Sequence, residues 1–194
     1  NALTITVTDT TVSAAALNVL DAKTTVDVNA TATTTLTGTL TDVIAAYAAN
    51  AAGATVDLDG NEAVTITETG PINAANLNTV NNYTTGVVTV SGITILDGPA
   101  AEITHVFTDN AAGEITGLPL VGTVAQGIKA YITDASAPAE TVEAILGQTT
   151  GQISCLGAAI EGNYTDVKAL LDAAALASPQ IDGLSDTNVT LDDS

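Results

Sequence analysis

The residues best suited to chemistry form one short acidic stretch, Asp57-Leu58-Asp59-Gly60-Asn61-Glu62. Asp57, Asp59, Asn61 and Glu62 put oxygen donors at near-alternate positions around a glycine, the arrangement hard cations take from loops. Calcium is therefore the cofactor this chain favours, although the full EF-hand spacing and the glycine-rich nonapeptide of calcium-binding β-rolls are absent. The competing reading is an Asx-turn, in which Asp and Asn bond their own backbone. That reading is preferred, because the matching stretch of the next repeat, Thr116-Gly117-Leu118-Pro119-Leu120-Val121-Gly122, carries no acid.

Other reactive groups are scarce. The only histidine, His105, lies in a helical pattern with no nucleophile turn beside it, so it reads as a solvated helix residue. Cys155 is the only cysteine and reads as a small buried hydrophobe. One His and one Cys exclude an ordinary zinc ligand set. Carboxylate pairs suitable for glycoside cleavage exist in number, but Tyr47, Tyr83, Tyr131, Tyr164 and Phe107 are the only aromatic residues available as sugar platforms. No catalytic residue is assigned, and the chain reads as non-enzymatic.

Composition narrows the partners. The 194 residues hold three lysines, no arginine and 22 acidic residues, a net charge of −19. Such a chain is repelled by phosphate backbones and by anionic membrane surfaces. No apolar run is long enough to span a bilayer. Apolar mass comes from Ala, Val, Leu and Ile, which suits thin stacked layers, and the high hydrophobicity argues for a folded chain.

The elements repeat. Leu36 to Gly53 lies over Leu96 to Gly113 at a shift of about 60 residues, and a third copy follows. Copies span roughly residues 4–63, 64–128 and 129–188, with a further coil beginning at 189–194 and an insertion at 119–127. The pattern G-x-x-[T/A]-[D/E]-[V/I] recurs at Gly38, Gly98 and Gly162. Apolar centres at Val7, Leu36, Ile66, Leu96, Ile132, Ile160 and Val189 halve each copy into coils of about 30 residues. Each coil opens with an alternating strand such as Thr6-Val7-Thr8-Asp9 and ends with a short extended piece such as Val56-Asp57-Leu58. Between them lies a helix, marked by Val12, Leu17 and Leu20 or by Val43, Ala46 and Tyr47.

Thr41 and Thr165 are the expected helix N-caps, Pro138 an early helical residue, and Gly53, Gly113 and Gly147 the expected helix closers. Strand–helix–strand connections are right-handed. The expected fold is thus an α/β right-handed solenoid, a single domain of about six strand–helix–strand coils with a parallel sheet backed by helices, as in leucine-rich-repeat architecture.

Three surface features complete the reading. Thr6/Thr8, Thr35/Thr37 and Thr65/Thr67 would form outward ladders of the kind seen in ice-binding solenoids, breaking at Ile95/Asp97 and Ala159/Glu161; ordinary strand preference of Thr is the favoured explanation. Four N-x-[S/T] sequons begin at Asn29, Asn82, Asn163 and Asn188. The end segments "LTITVT" and "NVTLDDS" read as open strand edges, which template further pairing, either to flanking repeats or head to tail between copies.

The phrases "VTDTTVSAAALNVLD", "LTGTLTDVIAAYAANAAG" and "GNEAVTIT" resemble repeats of the giant, acidic cell-surface proteins of marine cyanobacteria, and phage appendages that borrow such repeats. The resemblance covers about the first 110 residues well and the rest loosely. It implies an extracellular or surface-displayed structural or adhesive module, with no functional residue to transfer. Self-association, a glycan or another cell-surface ligand are the partners it suggests, with calcium, glycan or ice binding as the alternative function.

Overall fold

The computed structural model describes residues 2–51, 55–176, 180–184 and 189–192. It is an α/β protein with six helices and mostly parallel strand pairing among the described residues.

The first copy runs β1 (Ile5–Thr6), β2 (Thr11–Ser13), α1 (Ala14–Asp21), β3 (Val28–Asn29), β4 (Thr35–Gly38), α2 (Leu40–Ala49) and β5 (Val56–Asp57). The second runs β6 (Ala63–Ile66), β7 (Gly70–Asn73), α3 (Ala74–Tyr83), β8 (Val88–Thr89), β9 (Ile93–Gly98), α4 (Ala100–Ala112) and β10 (Ile115–Thr116). A hairpin follows, β11 (Leu120–Val121) with β12 (Val124–Ala125). The third copy is β13 (Lys129–Ile132), β14 (Ser136–Pro138), α5 (Ala139–Gln148), β15 (Ile153–Ser154), β16 (Ala159–Gly162), α6 (Tyr164–Ala174) and β17 (Ile181–Asp182). β18 (Val189–Leu191) comes last.

Two compact units result. One comprises Asn1–Glu68, Asn76–Ser91 and Gly113–Gly117; the other comprises Thr69–Ala75, Gly92–Ala112 and Leu118–Ser194. The first holds the parallel sheets β1-β3-β5 and β10-β8-β6-β4-β2. The second holds β17-β15-β13-β9-β7 and β14-β16-β18, with the antiparallel hairpin β11-β12. The unit boundary does not follow the copies, because β6 and β13 are each the central strand of a five-stranded sheet. β6 pairs with β4 of the copy before it and with β8 of its own; β13 does the same with β9 and β15.

This register corrects the expected one. Val12 stands against Leu36, Leu36 against Val64, Val64 against Val88, and Val88 against Ile115. Ile66 meets Gly38 and Ile132 meets Gly98, so these residues do not stack on Leu36 and Leu96. Two strands, not one, precede the first helix of each copy, as β1 and β2 do before α1. A strand of two to four residues carries almost no periodicity of its own, so the turns and helices between strands set the register.

The Thr rows shift accordingly. Thr6 stands beside Asn29, not Thr35. A different row, Ser13, Thr37, Thr65, Thr89 and Thr116, crosses one whole sheet, and it does not break at Ile95. Thr89 Oγ1 and Thr116 Oγ1 lie 3.1 Å apart, within hydrogen-bonding distance.

The recurrent glycine motif has a packing cause. A Cβ on Gly38 would sit 3.1 Å from the Ala14 Cβ, and one on Gly162 would sit 2.9 Å from the Ala139 Cβ. Each strand end thus closes onto the first residue of the helix one coil earlier. Gly98 also lies over Ala74, but a Cβ there would sit at an ordinary 3.5 Å, and its φ of +146° is what favours glycine.

The helices start two residues earlier than Thr41 and Thr165 suggest. Thr39 caps α2: its Oγ1 accepts from the Asp42 N–H (3.1 Å) and donates to Asp42 Oδ2 (2.8 Å). Asn163 caps α6, its Oδ1 accepting from Thr165 N and Asp166 N. Thr41 and Thr165 lie in the first helical turn, since the chain bends directly after the motif glycine. Pro138 is the residue before α5, giving its fixed φ of −62° to the cap position. Gly113 follows α4 with φ +86° and closes it as expected. Gly147 is inside α5, which ends at Gln148, and Gly53 lies outside the described residues.

Two further caps cross between coils. Glu68 Oε2 accepts from the Leu40 N–H (3.0 Å) at the start of α2, and Asp134 Oδ2 accepts from the Ala100 N–H (2.6 Å) at the start of α4. Both acids follow their strand by two residues, so each strand delivers a negative charge to the positive end of a neighbouring helix. Among the described residues no helix is long and apolar enough to cross a membrane.

Candidate functional site: the junction between repeats

The acidic stretch does not converge on a common point. Asp57 lies on β5 with its side chain exposed, and Asp59 and Asn61 are exposed in the following turn. Glu62 turns inward and is wholly buried. Its Oε1 accepts from the N–H groups of Asp59 (2.7 Å) and Gly60 (3.1 Å), and its Oε2 accepts from the Tyr47 hydroxyl (2.9 Å). Three donors are thus spent on one carboxylate, which leaves it little to offer a cation. Among the described residues no group of three or more His, Cys, Asp or Glu is placed to hold a metal ion.

Glu62 instead closes its own turn onto α2. Tyr47 projects from α2 and stacks on Tyr83, the last residue of α3, with ring centroids 5.3 Å apart and planes 18° from parallel. Stacking of this kind adds to the area the rings bury. Burial, followed by the Glu62 charge, raises the Tyr47 phenol well above its ordinary value, so it stays a donor.

A threonine completes the junction. Thr84 Oγ1 donates to the Glu62 carbonyl (2.7 Å) and accepts from the Gly86 N–H (2.9 Å). The same clamp recurs twice. Thr24 Oγ1 donates to Leu3 O (2.6 Å) and accepts from Val26 N (3.1 Å). Thr149 Oγ1 donates to Ile128 O (2.6 Å) and accepts from Gly151 N (3.0 Å). Chain order and bonding make Leu3, Glu62 and Ile128 equivalent, as they do Thr24, Thr84 and Thr149. The doublets Thr24-Thr25, Thr84-Thr85 and Thr149-Thr150 were the visible signal of this clamp; its bonds join residues about 21 positions apart and are invisible to local pattern.

The second junction uses different chemistry at the same positions. Phe107 on α4 replaces Tyr47, and Ile128 replaces Glu62; both are buried. Gln148, in the place of Tyr83, reaches α4 with its Nε2 3.2 Å from Thr108 Oγ1.

The remaining candidates are placed as follows. His105 is half-exposed on α4, its Nε2 3.5 Å from Asp109 Oδ2 one turn on. Cys155 is buried, and burial with the Asp182 charge pushes its thiol up to about 11. Asn29 and Asn82 are exposed; Asn29 Oδ1 accepts from the Thr31 hydroxyl (2.9 Å). Asn163 is engaged as a helix cap, and Asn188 lies outside the described residues. The insertion at 119–127 is the β11-β12 hairpin, turning at Gly122 and carrying exposed Leu120 and Val121.

The chain matches no family model, and neither the curated proteins nor the solved structures contain a significant match to it.

Proposed function

We propose that this chain is a non-enzymatic structural or adhesive module of an extracellular or surface-displayed protein, a right-handed solenoid of strand–helix–strand coils that is continued at its ends by association of copies or by flanking repeats of a longer chain. The observation that carries this reading is the threefold hydrogen-bond set. The threonine clamp recurs at Thr24, Thr84 and Thr149. The strand contact recurs as Thr67 N to Gly38 O, Thr133 N to Gly98 O, and Asp192 N to Gly162 O. A stack whose every step repeats the same contacts extends by addition, and unpaired strand edges template that addition. β1 and β18 are edge strands of their sheets.

The net charge of −19 and the resemblance to repeats of cyanobacterial surface proteins and phage appendages favour display in an aqueous exterior. The test is sedimentation and negative-stain microscopy over a concentration series, with calcium and with chelator. Growth of end-to-end species with concentration is the expected result; a monomer at millimolar concentration in both conditions rejects association of copies and favours continuation by flanking repeats.

A second reading has its own observation. The row Ser13, Thr37, Thr65, Thr89 and Thr116 presents hydroxyls at the strand spacing of about 4.8 Å. Such a row suits a regularly spaced ligand, ice or a crystalline glycan. Thermal hysteresis that disappears in Thr65→Tyr would favour it; absence of hysteresis at high concentration removes the ice form of it.

A further inference from the structure

We propose that Tyr47 and Tyr83 form a modification site, at which a one-electron oxidant joins the two rings into a dityrosine that staples α2 to the end of α3. The inference goes beyond the structural reading above and stands without it. Composition is the first ground. The chain has no Met, no Trp and one Cys, so its four tyrosines are the main targets of oxidation. Cys155 is buried, with its thiol pushed up to about 11, so little thiolate competes.

Geometry selects two of the four. Tyr131 and Tyr164 are 42 % and 63 % exposed on other elements, whereas Tyr47 and Tyr83 are stacked, with centroids 5.3 Å apart and planes 18° from parallel. In an offset stack the ring edges, where coupling occurs, approach more closely than the ring centres. The two rings also divide the work. Tyr83 is 38 % exposed and can meet an oxidant in solution; Tyr47 is 2 % exposed and cannot. Tyr47 instead has a base in place, because its hydroxyl donates to Glu62 Oε2 at 2.9 Å. The fold does not require a tyrosine pair, since Phe107 and Gln148 fill the same positions at the second junction.

The steps balance. Tyr83 gives an electron to the oxidant and its phenolic proton to water. Tyr47 then reduces the Tyr83 radical, which regains a proton from water, and passes its own proton to Glu62. A second oxidation at Tyr83 produces the radical pair. One carbon–carbon bond forms between the ring carbons ortho to the two hydroxyls, and the hydrogen on each of those carbons leaves as a proton. Glu62 returns a proton to the Tyr47 oxygen, and water returns one to Tyr83. The net change is the loss of two electrons and two protons.

The experiment uses the full chain carrying Tyr131→Phe and Tyr164→Phe, which leaves the stacked pair as its only tyrosines. Both replaced residues are exposed, so the fold is kept. The oxidant is a photo-oxidised ruthenium tris-bipyridyl complex with persulfate. The product should run as a monomer on a denaturing gel, lack two hydrogens by intact mass and show dityrosine fluorescence, with a yield unchanged on dilution. Unfolding the chain in urea before illumination should lower that monomer yield at least about tenfold, because the rings are no longer held together. Adding Tyr47→Phe should confine dityrosine to dimers joined through Tyr83. The stapled monomer should need more urea to unfold, since the new bond constrains the unfolded chain. Dityrosine found only in dimers of the two-tyrosine chain, or a monomer yield as high in urea as in the folded chain, would overturn the site. So would an absence of product under conditions that consume Tyr131 and Tyr164 of the unaltered chain.

Discussion

The two internal junctions solve one packing problem in opposite ways. At the first, Tyr47 and Glu62 meet through a buried charge-assisted hydrogen bond, with Tyr83 stacked alongside. At the second, the equivalent positions hold Phe107 and Ile128, both buried and both without a polar group. The threonine clamp behind them is the same in each. The backbone contact is therefore the constant of the repeat and the side-chain pair is interchangeable. What a polar pair adds is mutual dependence: each partner, buried, needs the other.

Glu62→Ile is the largest test of that difference. It leaves the Tyr47 hydroxyl buried without its acceptor and should cost about 3 kcal/mol in chemical denaturation. Tyr47→Phe alone should cost about 1.5 kcal/mol. The double variant Tyr47→Phe/Glu62→Ile copies the second junction and should cost at least about 1 kcal/mol less than the two singles summed. Strict additivity in that cycle would end the claim that the pair acts as a unit.

The clamp comes next in size. Thr84→Val and Thr149→Val each strip a donor from a buried carbonyl and an acceptor from a backbone N–H, and each should cost about 2 kcal/mol. Equal losses at the two sites would support a constant backbone contact under variable side chains. A loss confined to Thr84 would tie the clamp to the Glu62 chemistry instead.

Alkaline unfolding separates the regions by titration. Cys155 and Tyr47 both hold their protons more tightly in the folded chain than at their ordinary values of 9.0 and 10.0. Their contribution is complete below those values and is lost as pH rises toward the folded ones. The melting temperature should be insensitive to these groups from about pH 7 to about 9, then decline. Cys155→Ala should delay the onset to about pH 10, where Tyr47 takes over. An unchanged onset in that variant would show that Cys155 is not the first group to drive the transition.

The smallest expected effect on stability is at the open end. Asp192→Pro removes the N–H that bonds Gly162 O and loosens β18, whose residues are all exposed. It should change stability by less than about 0.5 kcal/mol. Association of copies should nevertheless weaken, because a loosened β18 is a poorer edge for an incoming strand; unchanged association would show that β18 is not the docking edge.

Much of the framework was legible in the chain. The copies, the helical faces around Leu17 and Val43, and the glycine motif all came from spacing, and both of these helix residues are buried. Register was not legible. Parallel strands of two to four residues take their alignment from what connects them, so Val12 rather than Val7 stands against Leu36. The direction of Glu62 was not legible for a related reason: alternate oxygens in sequence say nothing of which way each side chain turns, and Glu62 lies inward, bonded to Tyr47.

The sequence by itself determined the α/β class and the charge, because local preferences and composition act without regard to tertiary contacts. The net charge of −19, with no arginine, is the same however the chain is arranged. It also determined the repeat, since local helical and strand preferences recur wherever the residues do. Only the tertiary structure decided which copies share a strand, which threonines align across five strands, and which equivalent side chains are covered. Those outcomes depend on contacts between residues tens of positions apart, whose energies no local pattern encodes.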